Sequence, residues 1–324
     1  MFDRKDEIVI SGIAGMFPEC DNAEELSELL FNKTNGITID SRRWTPSLMG
    51  AICGTGKMKN INAFDATFFG VNNILADVMD PMTRILTERA VEAVVDAGLS
   101  LSDVSGTNVG VFMGSAIGET EIYMLNTTSK KSDPYTLLGQ SRTMQANRIS
   151  SMLNLTGTAG NSFFAMDGGW LCGANGLHKA KQMIDDGHIS AAIIGTINLV
   201  MSPELQFQSQ GLNRLNKSNQ TKPFSSNDNN NDIMWKSEIA DRMLPTGTTD
   251  RRDVSCCSSL QRASDAKRSY GTLLNVKSTV FGDRQGPLIN RDRRRFQIAA
   301  VGRLQRGRRR SGHGRVRRSL RVGH

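Results

Sequence analysis

Residues 165–180 read AMDGGWLCGANGLHKA. An apolar start, a pair of glycines, and then Leu171, Ala174, Leu177 and Ile184 at helical spacing predict a strand end, a tight turn and the opening turns of a helix. A turn of this kind ordinarily presents a nucleophile. Here it presents Trp170.

The segments on either side alternate in kind. Residues 7–13 (EIVISGI), 108–113 (NVGVFM) and 191–200 (AAIIGTINLV) are short apolar runs rich in β-branched residues, as buried strands require. Helices are predicted between them. One follows Asn22, which with Glu25 has the form of a capping box ahead of Leu26, Leu29 and Leu30. A second starts at Asp80-Pro81, where the carboxylate can cap and proline fits the first helical position, and stops at Gly98. A third covers 141–153 (SRTMQANRISSML). Strands alternating with helices imply an α/β fold built on a largely parallel sheet.

From about 215 the pattern changes. Residues 218–232 (SNQTKPFSSNDNNND) are polar and asparagine-rich, which favours loop over packed structure. At 260–283 a charged, helix-like piece is expected to lead into a strand over 270–280 (YGTLLNVKSTV). Residues 291–324 hold thirteen Arg, no Lys and one acid, Asp292; their net charge of +12 leaves −4 for residues 1–290 out of the chain's +8. The basicity is confined to a tail with almost no apolar periodicity, expected to be disordered. Such a tail can bind anionic polymers, but its one aromatic, Phe296, gives little for bases to stack on. Nucleic acid is therefore the less favoured partner. The body mixes thirteen Lys with fourteen Arg, and the abrupt change of usage suggests that 291–324, together with 228–258, are out-of-frame or wrongly assembled segments. Transcript sequence showing one continuous frame would refute that origin.

Five cysteines without regular spacing, Cys20, Cys53, Cys172, Cys256 and Cys257, and a charged start (MFDRKDE) point to reduced thiols and a cytoplasmic location. No apolar run reaches the roughly 20 residues that span a bilayer. Gly54-Thr-Gly-Lys57 lacks the flanking residues of a phosphate loop, having Ala51 and Met58 where Gly and Ser or Thr belong.

Several segments together resemble the ketosynthase (beta-ketoacyl synthase) domain of animal, insect-type fatty acid synthase. They are EIVISGIAGMFPECDN at the start, FDATFFGVNNILADVMDP at 64–81, LTERAVEAVVDAGL at 86–99, NVGVFMG at 108–114, MQANRIS at 144–150 and AAIIGTINLVMSPE at 191–204. The resemblance is specific over 7–214 and patchy from 222, where KPF at 222–224 and LQRASDAKRSYGTLLNVKS at 260–278 look like family landmarks. It implies a thiolase-like layered αβαβα fold, normally a homodimer, whose N-terminal half is recognisable here and whose C-terminal half is incomplete. On this reading residues 1–217 are the N-terminal half, 218–259 a polar degenerate linker, 260–290 the start of the C-terminal half and 291–324 the tail. The family condenses an acyl group, held on a cysteine, with a malonyl unit on acyl carrier protein, releasing carbon dioxide. The implied partners are acyl carrier protein and a ketosynthase-type dimer mate; no bound cofactor is implied, the substrates being carried on phosphopantetheine.

The family's chemistry needs a cysteine at a helix N-terminus, where dipole and free amides stabilise a thiolate, and two histidines to stabilise the charge that decarboxylation creates. The family's elbow reads Asp-Thr-Ala-Cys-Ser-Ser-Ser with a histidine eleven positions after the aspartate, and Asp167 and His178 keep that spacing. The nucleophile's position is then Trp170, whose indole nitrogen is a donor only. Cys172 stands two residues on, about 200° around a helix, and reads as a structural thiol rather than a substitute nucleophile. The chain's other histidines, His188, His313 and His324, lie outside the family's later His-Gly-Thr-Gly-Thr and Gly-His contexts. The expectation is a catalytically silent ketosynthase-like domain. The alternatives are a fragment of an active multidomain synthase and a nucleic-acid binder acting through the arginine tail.

Overall fold

The computed structural model describes residues 7–46, 48–50, 54–115, 118–126, 134–156, 163–166, 171–211 and 253–276. All of them fall in one compact unit, Met1–Val276; the arginine tail and the rest of 277–324 lie outside the described residues. The chain runs β1 (Ile8–Met16), α1 (Ala23–Phe31), β2 (Ile37–Thr38), β3 (Thr55–Gly56), α2 (Asn73–Val78), α3 (Pro81–Asp96), α4 (Leu101–Val104), β4 (Val109–Ser115), α5 (Glu119–Asn126) and α6 (Pro134–Gln140). It continues with α7 (Met144–Met152), β5 (Phe163–Met166), α8 (Cys172–Asp185), β6 (Ala191–Asn198), α9 (Pro203–Gly211), β7 (Val254–Arg262) and β8 (Gly271–Thr272).

Six strands form one sheet in the order β5-β4-β6-β7-β1-β8. β4 is parallel to both β5 and β6, whereas β7 runs antiparallel to both β6 and β1. The sheet is therefore mixed, not largely parallel. A bulge at Ser11 shifts the register of β1 against β7 between Ile10 and Gly12.

Helices cover both faces. α3 crosses one face over β1, β7 and β6, with α7 beside it over β4 and β5; their side chains Ile85, Leu86, Val94 and Ile149 join Val111, Met113 and Ile193 in the larger core. α8 covers the other face, setting Leu177, Ala180 and Ile184 against Phe112, Ile194 and Leu260. Small residues set how closely α3 approaches. A Cβ on Gly12 would stand 2.0 Å from the Ala93 carbonyl oxygen and 2.8 Å from the Ala97 amide, so β1 touches the helix backbone there. The helix begins where Asp80 caps the Met82 amide at 3.0 Å with Pro81 behind it, and ends at Gly98, whose φ of +77° takes the left-handed conformation that favours glycine. At α1, Asn22 accepts from the Glu25 amide as the capping box predicts, but Glu25 answers to the Asp21 amide rather than to Asn22 itself.

The segment before residue 260 departs most from the sequence reading. Residues 254–259 are not linker: they form most of a central strand, and Leu260-Gln-Arg262 completes that strand where helical character was expected. Only Gly271–Thr272 of the expected strand over 270–280 is strand, and 277–280 lie outside the described residues. β7 escapes pattern reading because its sequence, VSCCSSLQR, has a single β-branched residue. What holds it in place is backbone pairing on both sides and an anchor at its start. The Asp253 carboxylate, wholly buried, accepts from the Met58 amide at 3.0 Å, the Val200 amide at 2.8 Å and Arg43 Nη2 at 2.7 Å, while its own amide donates to the Gly56 carbonyl at 2.8 Å. Gly54-Thr-Gly-Lys57 is part of the same anchor. Its central residues are the strand β3, and Lys57 is buried 3.2 Å from Asp40, so no phosphate loop opens a helix here.

Removing one partner of a buried ion pair commonly costs about 3–5 kcal/mol. Asp253→Ala strands Arg43 and two amides, and is expected to lose stability on that scale in urea melts; a loss below about 1 kcal/mol would show that β7 is held by pairing alone.

Candidate active site at the carboxyl end of the parallel strands

β4, β5 and β6 end on the same side of the sheet, at Ser115, Met166 and Asn198. Such an edge is where open α/β sheets place their ligands. The helix α8 starts there with Leu171 at its N-cap and no side chain closing its first amides. Asp167 and Trp170 lie outside the described residues.

Cys172 occupies the first position of α8 and is 5% exposed. Its Sγ lies 3.3 Å from the Met166 carbonyl oxygen and 3.8 Å from that of Ser115, so the thiol hydrogen points into the strand ends. Gly114 makes room for it, since a Cβ there would stand 2.4 Å from Cys172 Cβ. His178 is six positions further, roughly 9 Å along the helix and 240° around it. Its Nδ1 lies 2.9 Å from the Val276 carbonyl oxygen, which can only accept, so this nitrogen carries the hydrogen. The two elbow residues therefore serve different surfaces: the thiol faces the sheet, and the imidazole ties α8 to the segment after β8. His188 lies in the turn after α8, where its carbonyl accepts from Asn108 Nδ2 at 2.8 Å.

Two acids at this end have a placement the sequence did not signal, Asp80 having been legible only as a helix cap. Glu119 opens α5 just beyond β4, with Oε2 accepting from the Met201 amide at 3.0 Å and Ser202 bonding to the same carboxyl. Burial pushes it up to about 7, and the nearby Asp253 carboxyl adds to the shift. Asp80 is raised to about 6, mainly by burial, with Glu121 contributing. Only the fold brings both to the strand ends. Among the described residues no group of three His, Cys, Asp or Glu side chains is placed to hold a metal ion, and no helix is long and apolar enough to cross a membrane.

Among the described residues a six-stranded mixed sheet carries helices on both faces, and α8 starts at Cys172 shortly after β5 ends at Met166. The family model for the beta-ketoacyl synthase N-terminal domain matches residues 5–237. The chain belongs to the beta-ketoacyl synthase family. Fatty acid synthase of Anser anser anser is 33% identical over 282 residues, covering 86% of this chain and 72% of that sequence. Polyketide synthase 37 of Dictyostelium discoideum is 28% identical over 221 residues, covering 64% of this chain and 7% of its own length. Among solved structures, the ketosynthase from module 6 of the bacillaene synthase of Bacillus subtilis 168 superposes with a TM-score of 0.65 at 24% identity, over 83% of this chain and 43% of that one. An oxazolomycin ketosynthase domain from Streptomyces albus JA3453 gives 0.65 at 22% identity, over 83% and 45%. The fold of this ketosynthase domain is thus thiolase-like, and the chain spans less than half of the solved ketosynthases it matches.

The Gly114–Cys172 contact makes a prediction. Gly114→Ala is expected to lever the first turn of α8 off β4, destabilising the domain by about 1–3 kcal/mol and speeding iodoacetamide modification of Cys172. Adding Cys172→Gly as the counterpart should recover most of the stability. An unchanged melt and alkylation rate for Gly114→Ala would show that the helix start is not wedged by this contact.

Proposed function

We propose that this ketosynthase domain of the fatty acid and polyketide synthase family no longer carries out decarboxylative condensation and acts as a catalytically silent, ketosynthase-type dimer partner in the cytoplasm. The observation that carries the reading is the packing of Cys172. It is the elbow's one cysteine, and its hydrogen is directed at the carbonyls of Met166 and Ser115 rather than outward. An acyl thioester would have to reach a sulfur 5% exposed against Gly114.

The resemblance assigns the nucleophile's place to Trp170, which offers no lone pair for acyl transfer. Condensation also requires donors for the enolate formed as carbon dioxide leaves. His178 supports no such role, because its Nδ1 hydrogen is engaged by Val276. What survives is the scaffold. Its relatives work on acyl groups delivered by phosphopantetheine, so acyl carrier protein is the expected visitor to the carboxyl end of the strands even where no acyl group is transferred.

The test is intact-mass measurement of the purified full chain after incubation with acyl-acyl carrier protein, alongside release of labelled carbon dioxide from malonyl-acyl carrier protein. No adduct and no release are expected. An acyl adduct that disappears in Cys172→Ala would overturn the reading and make this an active condensing enzyme with a displaced nucleophile.

A further inference from the structure

The sequence holds two Asn-Gly pairs, Asn35-Gly36 and Asn175-Gly176, and the fold treats them in opposite ways. Glycine leaves the amide nitrogen after an asparagine open to attack on the side-chain carbonyl carbon, because no Cβ shields it. Asn175-Gly176 lies inside α8. Gly176 is buried, a Cβ on it would stand 3.3 Å from Ile194 Cγ2, and its amide is held by the helical bond to the residue four positions back, Cys172. Asn35-Gly36 lies between α1 and β2, with Asn35 exposed. There Asn35 Oδ1 accepts from the Ile37 amide at 3.1 Å, closing a turn whose ring contains both Asn35 Cγ and the Gly36 nitrogen. Among the described residues no turn or loop carbonyl takes the Gly36 amide.

We propose that Asn35 is a site of spontaneous deamidation and backbone isomerisation, promoted by the turn ahead of β2, and that α8 suppresses the same reaction at Asn175.

The reaction needs water alone. The Gly36 nitrogen gives its proton to solvent base and bonds to Asn35 Cγ, and the negative charge gathers on Oδ1, where the Ile37 N–H already points. The bond from Cγ to Nδ2 then breaks, the nitrogen leaves as ammonia with a proton from solvent, and a cyclic imide joins residues 35 and 36. Water opens that imide at either carbonyl, which leaves aspartate or isoaspartate at position 35. In α8 the same closure first requires the Gly176 amide to leave its helical bond. The product at position 35 matters for where it falls. Ile37 pairs with Gly56 and Thr38 with Thr55, and the Gly56 carbonyl accepts the Asp253 amide at 2.8 Å. An isoaspartate lengthens the backbone by a methylene just before that pair and dismantles the turn that leads into it.

The experiment ages the full chain in mildly alkaline buffer, natively and in urea, and then digests it at acid pH, where the imide forms slowly. Mass mapping reads amide-to-acid conversion at positions 35 and 175, and an isoaspartate methyltransferase reports the isomerised backbone. In the native chain conversion at 35 is expected to run at least about tenfold faster than at 175, because attack at 175 waits on local opening of α8. In urea the two rates should converge. Asn35→Gln, at an exposed position, should abolish the isoaspartate signal from this segment and leave position 175 unchanged. Equal native rates at the two positions, slower conversion at 35 in the native chain than in urea, or aspartate at 35 without isoaspartate would overturn the proposal.

Discussion

The wholly buried carboxylate of Asp253 anchors the point where β7 enters the sheet. It collects the amides of Met58 and Val200 and the guanidinium of Arg43, so three otherwise separate pieces of chain meet at one point: the β3 turn, the exit of β6 and the start of β7. From there β7 pairs with β6 along its whole length, Asn198 opposite Val254 through Ala191 opposite Gln261. On its other side it takes β1, Met16 opposite Ser255 through Ile8 opposite Arg262. Without β7 the first strand would have no neighbour in the sheet except the two residues of β8. A parallel set, β4 to β6, and an antiparallel set, β1 and β8, are thus joined through one strand held by backbone pairing on both sides and an ion pair at its start. Burial raises the pKa of Asp253 even so, the desolvation of the acid outweighing Arg43 and the two amides.

That strand is also where the sequence is least legible. β1, β4 and β6 announce themselves as apolar, β-branched runs, and α3 carries its own punctuation in Asp80-Pro81 and Gly98. β7 offers Val254 and Leu260 at its ends and Ser255, Cys256, Cys257, Ser258 and Ser259 between them, all buried. Hydrophobic burial at about 0.8 kcal/mol per methylene contributes little for serine, and the Ser255 hydroxyl has no partner among the described residues. Small side chains do suit the space. Gly195 on β6 already lies so close to Cys257 that a Cβ there would come within 2.8 Å of its sulfur, and Cys257 Sγ reaches the Leu86 carbonyl of α3 at 3.9 Å. A polar stretch thus becomes a central strand where the neighbouring backbones supply the hydrogen bonds and leave room only for small side chains. Periodicity registers neither condition.

The site divides in the same way. The sequence reads Cys172 as a structural thiol, and the fold adds what the thiol turns toward: Gly114, Met166 and Ser115. His178 was legible as a member of the elbow helix, but its tie to Val276 spans 98 positions of sequence and needed the structure. Glu119 and Asp80 were visible only as an ordinary acid and a helix cap. Their unusual titration is a property of packing, created when α5 and α6 fold back over the turn before α3.

The end of the sheet therefore carries two kinds of constraint that pull apart. Close packing of α8 on β4 at Gly114 is what any elbow of this fold requires, because the helix must start against the strand ends for its amides to face a substrate. The same closeness buries the thiol at position 172 against Gly114 and the strand ends. On the proposed reading the nucleophile's place lies earlier, at Trp170. On that reading the fold can be kept while the chemistry is lost: sheet, helix and small-residue contacts depend on 114, 172 and 176, whereas condensation asks in addition for a nucleophile and histidine donors.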